Sequence, residues 1–442
     1  MREFFNWFIS ETKAVISPKF YRVISPYYHY ALSLLAALFY RFPSRKLFVV
    51  GVTGTKGKTT TIEIINAVFE EAGYRTAIAS TLRLKMGERS QRNLYKMTMP
   101  GRFFLQKFLR DAAKAHCTHA ILEMTSEGAQ QFRHTYIELD ALIFTNLAPE
   151  HIKSHGSYEN YRAAKLRLVR ALTESPKRPR YLVVNRDDQE AEKFLDSAVE
   201  QKMTFGLSDA QPFRLTPFGS ECMWQGEKIK INLIGEFNIY NVLAAGTLAR
   251  AMGIAKKTIV TALEKLIAVP GRVEEITKKG ALFRVFVDYA HTAESLEAVY
   301  KALGPGPRLC VLGGTGGGRD SWKRPVMGGI AAEYCTDIIL TNEDPYDESP
   351  FEIIREIQGG IDKKVKILEA AGRPAPVSTI IMERRDAIAE ALRRAQPGTT
   401  VIITGKGTDP YIMGPKGSKM PWSDEEVVRE GLARLFSSQT AR

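Results

Sequence analysis

The ten residues Gly51-Val-Thr-Gly-Thr-Lys-Gly-Lys-Thr-Thr60 carry the clearest chemistry in this chain. Glycines let backbone N–H groups come close to phosphate oxygens, and a helix starting at the same point adds partial positive charge. Lys58 is spaced to reach β- and γ-phosphates, and the Thr59 hydroxyl to hold Mg²⁺. Gly54, Thr55, Lys56, Gly57 and Thr60 complete the loop. The common GxxxxGK[ST] spacing would put a glycine at Val52, whereas this loop reads TGTKGKTT. Nucleotide binding follows from the loop; the reaction does not.

Three later segments add reactive groups. Ile121–Ser126 ends an apolar run in Glu123, and strand ends of open α/β sheets are where ligands bind, so Glu123 is a candidate metal ligand. Thr145–His151 brings the His151 imidazole to the same edge. Ser157–Leu172 reads as a helix with Tyr161 and Lys165 one turn apart on one face. Taken singly, each has a plainer reading: a strand-end acid, a loop histidine, a solvated lysine.

These groups need a scaffold, and the pattern around them is α/β. The run Leu47–Val52 predicts a buried strand and residues 59–73 a helix closed by Gly73. Further strands are predicted at Thr76–Ser80, Ala120–Met124, Ala141–Thr145 and Leu182–Asn185. Strands alternating with helices imply a mostly parallel, doubly wound sheet. Residues 203–234 read as short β pieces, followed by a helix at Tyr240–Met252. Val269–Arg272 reads as a linker, after which strands recur at Phe283–Asp288, Arg308–Leu312, Asp337–Thr341 and Thr400–Thr404. The expected layout is a short N-terminal extension with an apolar helix (1–46), a central P-loop ATPase domain (47–269) and a C-terminal Rossmann-like α/β domain (270–442).

Composition agrees with a globular enzyme: of 442 residues, 44% are hydrophobic and 25% charged, which excludes wholesale disorder. The 62 Lys+Arg against 49 Asp+Glu leave +13, suited to anionic partners, but no nucleic-acid motif accompanies it. Cys117, Cys222, Cys310 and Cys335 are widely spaced without a CxxC pair, which indicates neither a disulfide scaffold nor a zinc knuckle and fits a reducing cytosol. Tyr27–Tyr40 is almost wholly apolar but too short to span a bilayer. Lys19, Arg22, Arg41, Arg45 and Lys46 flank it, so it suits either packing on the next domain or lying on anionic lipid. The expected state is a cytoplasmic monomer, with peripheral membrane contact through this helix as the open alternative.

Together, TGTKGKTT, LEMTSEGAQQFR, TNLAPEHIKSHGSYENYRAAK, GEFNIYN, PGRVE, DYAHTAESL, GGRDSWKRPVMG and GKGTDPY resemble, in order, the motifs of the Mur ligase superfamily, and most closely its MurE branch. The resemblance implies ATP-dependent amide formation in peptidoglycan precursor synthesis. An amino acid would be added to the D-Glu of UDP-MurNAc-L-Ala-D-Glu through an acyl phosphate, releasing ADP and phosphate. It implies two Mg²⁺ ions, one on Thr59 and Glu123 and one on His151, the latter supported by a CO₂-derived carbamate on Lys165. Carbamylation needs an unprotonated amine, and it would remove a cation beside two metals. By the same resemblance Asn238, Asn241, Arg272, Asp288 and His291 contact the nucleotide, and Thr98, Thr125, Gln131 and Arg133 the acceptor. Arg319, Glu343, Asp344, Pro345, Tyr346, Gly405 and Asp409 form the amino-acid pocket.

Three departures bear on the substrates. Where the family reads DNPR, this chain has Glu343-Asp344-Pro345-Tyr346. That loses the arginine that grips the distal carboxylate of diaminopimelate, and an acidic pocket would favour a lysine-like side chain. GKGHE appears as Gly405-Lys406-Gly407-Thr408-Asp409, and SSH as Thr125-Ser126-Glu127, each losing its histidine. Only about 50 residues precede the P-loop, where MurE enzymes carry a UDP-binding domain. Alternatives are therefore a ligase acting on a lipid-linked or other non-UDP acceptor and, more distantly, a P-loop phosphotransferase.

Overall fold

The strand Phe48–Thr53 has no charged residue and is buried from Val49 onward, as a parallel strand covered on both faces must be. The computed structural model describes residues 18–95, 97–150, 152–277 and 280–440. In it β1 (Phe48–Thr53), β2 (Thr76–Ala79), β3 (Arg83–Met86), β4 (Arg89–Arg92), β5 (His119–Glu123), β6 (Ala141–Phe144), β7 (Tyr181–Asn185) and β8 (Gln201–Phe205) form one eight-stranded sheet. Its order is β4-β3-β2-β5-β1-β6-β7-β8, parallel from β2 to β8 and antiparallel at β3 and β4. Val50 pairs with Ile121 on one side and Ala141 on the other, which sets the ends of β1, β5 and β6 at one edge.

Alternation along β1 splits the core in two. Val50 and Val52 face α2 (Lys58–Glu71) and α5 (Glu236–Ala251), while Val49 faces α3 (Arg102–Lys114) and α4 (Tyr158–Thr173). The preceding helix α1 (Pro18–Tyr40) lies against α3, and the Ser33 hydroxyl donates to the Phe132 carbonyl at 2.7 Å. No helix among the described residues is long and apolar enough to cross a membrane.

An antiparallel sheet of β9 (Phe213–Thr216), β10 (Gly219–Trp224) and β11 (Glu227–Ile231) covers the outer end of α5. The chain then builds a six-stranded sheet from β12 (Glu274–Glu275), β13 (Arg284–Val287), β14 (Arg308–Leu312), β15 (Asp337–Leu340), β16 (Val377–Ile380) and β17 (Thr400–Ile403). Its order is β12-β13-β17-β14-β15-β16, parallel except at β12.

The α/β reading is correct and its strands recur within a residue or so, but three features differ from expectation. The β3–β4 hairpin turns at Gly87-Glu88; β3 buries only Leu84 and Lys85 and β4 is polar and exposed, so neither gives an apolar run to read. The helix predicted from Tyr240 begins at Glu236. Cys310 in β14 and Cys335 after the helix Lys323–Tyr334 form a buried disulfide with Cα atoms 6.2 Å apart. A strand–helix crossover brings together two cysteines that lie 25 positions apart in sequence.

The last helix, α6 (Asp424–Thr440), is pinned to this sheet by a buried charge pair. Arg384 Nε and Nη2 donate to the two Asp424 carboxylate oxygens at 2.8 and 2.7 Å, and Nη2 also donates to the Thr404 carbonyl. Trp422 Nε1 donates to the same carboxylate at 2.7 Å. Arg384→Ala leaves Asp424 buried beside no cation, and such broken pairs cost about 3–5 kcal/mol. Chemical denaturation should show that loss as a lower unfolding midpoint.

Candidate active site

β1 ends at Thr53 and α2 begins at Lys58, so residues 54–57 form the turn at the carboxyl edge of the sheet. Two positions there tolerate only glycine. Gly54 has φ +150° and an added Cβ would lie 1.9 Å from Thr145 Oγ1; Gly57 has φ +81° and its Cβ would lie 2.4 Å from Asn241 Oδ1. The turn is held from both sides: Thr55 N donates to the Asn146 carbonyl at 2.8 Å, Lys56 N to Asn146 Oδ1 at 2.9 Å, and Thr145 Oγ1 to the Lys56 carbonyl at 2.7 Å. Lys58 Nζ donates to the Gly54 and Thr55 carbonyls of its own loop.

At the first turn of α2, Thr59 Oγ1 donates to Glu123 at 3.1–3.2 Å, and Thr81 N donates to Glu123 Oε2 at 2.7 Å. A buried hydroxyl beside a buried carboxylate is an all-oxygen pair that suits a hard ion such as Mg²⁺. Among the described residues no cluster of three or more His, Cys, Asp and Glu side chains is placed to hold a metal. His151 lies outside the described residues.

Lys165 comes from α4 to the back of the loop, where Nζ donates to the Gly54 carbonyl at 2.7 Å and sits 4.9 Å over the Tyr161 ring. Burial, with Lys58 nearby, pushes its amine well below the ordinary lysine range. A neutral, buried amine is the form that reacts with CO₂, so the chemistry of this position fits a carbamate.

The C-terminal half meets the same loop. Lys56 Nζ donates to Thr292 Oγ1 at 2.9 Å and pairs with Glu294 at 3.3 Å, and Arg272 reaches Thr59 Oγ1 at 3.4 Å while stacking 4.5 Å from Tyr289. Asp288 caps the linker: its carboxylate accepts from Val273 N at 2.7 Å and Ala290 N at 2.6 Å. His291 is fixed by the Tyr289 carbonyl at 2.8 Å, and burial followed by Lys323 and Arg319 depresses its basicity well below the usual value. On α5, Asn241 accepts from Thr61 at 3.2 Å and donates to Asn238 at 2.9 Å.

A cavity of about 820 Å³ runs between the two halves, walled by residues 55–60, Glu123, Asn241, Arg272, Asp288 and His291. Of the proposed acceptor residues, Thr98, Thr125 and Arg133 reach its wall. Thr98 shares a hydrogen bond with Thr81 at 2.8 Å, and Thr125 caps the short helix Ser126–Gln130. Gln131 is not on the wall; its Oε1 accepts from Arg133 Nη2 at 2.7 Å and so orients that guanidinium. Gly54, Asn238, Lys165 and Pro345 likewise stand behind the lining.

At the far end are Arg319, Glu343, Asp344, Tyr346, Gly405 and Asp409. The acidity expected there is largely answered from within. Lys406, buried and unremarked in the sequence, bridges Asp344 at 2.8 Å and Asp409 at 3.1 Å. Glu343 accepts from Thr315 at 2.8 Å, and burial pushes its carboxyl up, disfavouring its charge. Tyr346 hydrogen-bonds Arg319. The lysine between two glycines was the one available signal for this bridge. Glu127 and Glu150 are also on the wall, each inside a motif read for its neighbouring residues.

The family model for the Mur ligase middle domain matches residues 52–249, and that for the Mur ligase glutamate ligase domain residues 271–407. A UDP-N-acetylmuramoyl-L-alanyl-D-glutamate–2,6-diaminopimelate ligase of Syntrophomonas wolfei is 37% identical over 419 residues, covering 91% of this chain and 81% of its own. A UDP-N-acetylmuramyl-tripeptide synthetase of Roseiflexus is 36% identical over 428 residues, covering 92% and 82%. The solved structure of a UDP-N-acetylmuramoyl-L-alanyl-D-glutamate–2,6-diaminopimelate ligase matches with TM-score 0.59 at 29% identity, covering 88% of this chain and 79% of that one. The chain belongs to the Mur ligase family, as an ATP-dependent ligase of the MurE type.

Gly57→Ala should weaken ATP binding about tenfold or more, because a left-handed non-glycine residue costs roughly 1–2 kcal/mol even before the clash with Asn241. Calorimetric titration with a non-hydrolysable ATP analogue measures it.

Proposed function

We propose that this ligase joins diaminopimelate to the D-Glu carboxylate of UDP-MurNAc-L-Ala-D-Glu, with ATP converted to ADP and phosphate, in the cytoplasm where both ATP and UDP-linked precursors are held. The carrying observation is one cavity that runs from Lys58 and Glu123 through Arg133 to Arg319 and Asp409. The named activities of the relatives favour diaminopimelate. So does the Lys406 bridge, which neutralises Asp344 and removes the main reason to prefer a lysine side chain. We take residues 47–269 as the half that binds ATP and acceptor, and residues 270–442 as the half that supplies the amino acid.

In the first step an acceptor carboxylate oxygen attacks the γ-phosphorus of ATP and ADP leaves. In the second the amino group attacks the acyl carbon, phosphate leaves and the amine loses a proton. Both steps crowd anions, so positioning and charge neutralisation dominate. Lys58 exchanges its loop carbonyls for phosphate oxygens, Arg133 holds the acceptor's carboxylate and Arg319 the α-carboxylate of the incoming amino acid. Thr59 and Glu123 would hold one Mg²⁺, and His151 with carbamylated Lys165 a second; bound there, Mg²⁺ would offset phosphate charge. Arg272 and Lys56 draw the C-terminal half over the nucleotide and exclude water, which protects an acyl phosphate from hydrolysis.

Mass spectrometry of products from the purified enzyme, UDP-MurNAc-L-Ala-D-Glu and ATP should give the tripeptide with meso-diaminopimelate, with kcat/KM for L-lysine at least about tenfold lower. Silence with both, from protein that binds ATP, would overturn the acceptor assignment. Lys58→Ala should lower kcat by about 10²–10³-fold.

Lys165→Met, uncharged and smaller than the buried lysine, should abolish turnover while keeping the parent's ATP affinity and an unfolding transition close to the parent's. ¹³C NMR of wild-type enzyme in labelled bicarbonate should show a carbamate carbonyl that this variant lacks.

A further inference from the structure

Helix α1 wears its amphipathicity outward. Ser33, Ala36 and Ala37, small and almost fully buried, face the protein. Its large apolar residues point away: Tyr27 is 76% exposed, Leu35 55%, Leu38 53% and Phe39 71%, with Ile24 and Tyr28 also exposed. At 3.6 residues per turn these six positions fall within an arc of about 120°, a continuous stripe. Phe103 of α3, itself exposed, extends the stripe beside Phe39, with ring centroids 6.5 Å apart. A helix that merely packed on its domain would turn the large residues in and the small ones out. An apolar stripe of this length on a soluble surface marks a contact.

The charges choose the occupant. From Pro18 to Tyr40 the helix has no Asp or Glu, while Lys19 and Arg22 lie in its first turns and Arg41, Arg45 and Lys46 follow its end. Arg41 and Lys46 are exposed, and Arg45 remains 60% exposed although it bonds Glu138. Arg41, Arg45 and Lys46 therefore leave an exposed cationic end on a helix that itself carries no acid, and an anionic surface complements that end. Tyrosine and phenylalanine along the stripe are also the residues that settle at the boundary between lipid headgroups and acyl chains.

We propose that α1 docks this ligase on an anionic lipid bilayer, lying in the plane of the headgroups with the Tyr27–Phe39 stripe inserted, without crossing it. The inference is independent of which amino acid or acceptor the enzyme uses, because its readout is binding and not turnover.

The test is flotation of the full chain with phosphatidylcholine vesicles, with and without phosphatidylglycerol, compared with the double variant Leu35→Glu/Leu38→Glu. Both leucines are exposed, so the variant should keep the unfolding midpoint and ATP affinity of the parent. The parent should float with phosphatidylglycerol vesicles and bind less as salt rises. The variant should bind at least about tenfold more weakly. Absence of vesicle binding by the parent, or equal binding by the variant, overturns the proposal. A lipid-free dimer seen by light scattering and abolished by the variant would also overturn it, assigning the stripe to a second copy.

Discussion

Everything in the cavity depends on a turn too narrow for a side chain at Gly54 or Gly57. Thr145 and Asn146 press on it from the end of β6, Asn241 from α5, and Lys165 from behind. The backbone of the turn is therefore set by packing, with the Thr55 and Lys56 N–H groups already held by Asn146. The two glycines carry no chemistry themselves. They let three elements converge on one strand end.

The charge arrangement follows the same economy. Lys58, Arg133 and Arg319 reach the cavity, while pairs that hold the scaffold are sealed away, as with Arg384 and Asp424. Lys406 belongs to the second kind although it sits among the first. By bridging Asp344 and Asp409 it makes the distal pocket less acidic than its residue list suggests. Lys165 is fully buried near Lys58, and that burial lowers the pKa of its amine well below the ordinary lysine range.

Local chemistry was legible in the sequence and distant pairing was not. The P-loop, Glu123 at a strand end, and Tyr161 with Lys165 on one helix face are each written within a few residues, and the alternation of apolar runs gave the sheet. Lys406 and Asp344 lie 62 positions apart, and Cys310 and Cys335 25 apart, so no spacing rule joins them. The β3–β4 hairpin gives no such signal because the exposed edge strand β4 needs no apolar pattern and β3 buries a single apolar side chain beside a lysine. Gln131 and Asn238 stand one layer behind the wall, a distinction of depth that residue type does not encode.

Lys56 belongs to the nucleotide loop yet spends its ammonium on Thr292 and Glu294 of the other half, and Arg272 of the linker returns the contact at Thr59. This glycine-rich loop is thus also the fastener between the two halves. Any ligand that strengthens those bonds raises the affinity for whatever the opposite half binds, and the favour is returned in equal measure. Such coupling is symmetric: it sets how much each half gains when the other is filled, and it imposes no order of filling.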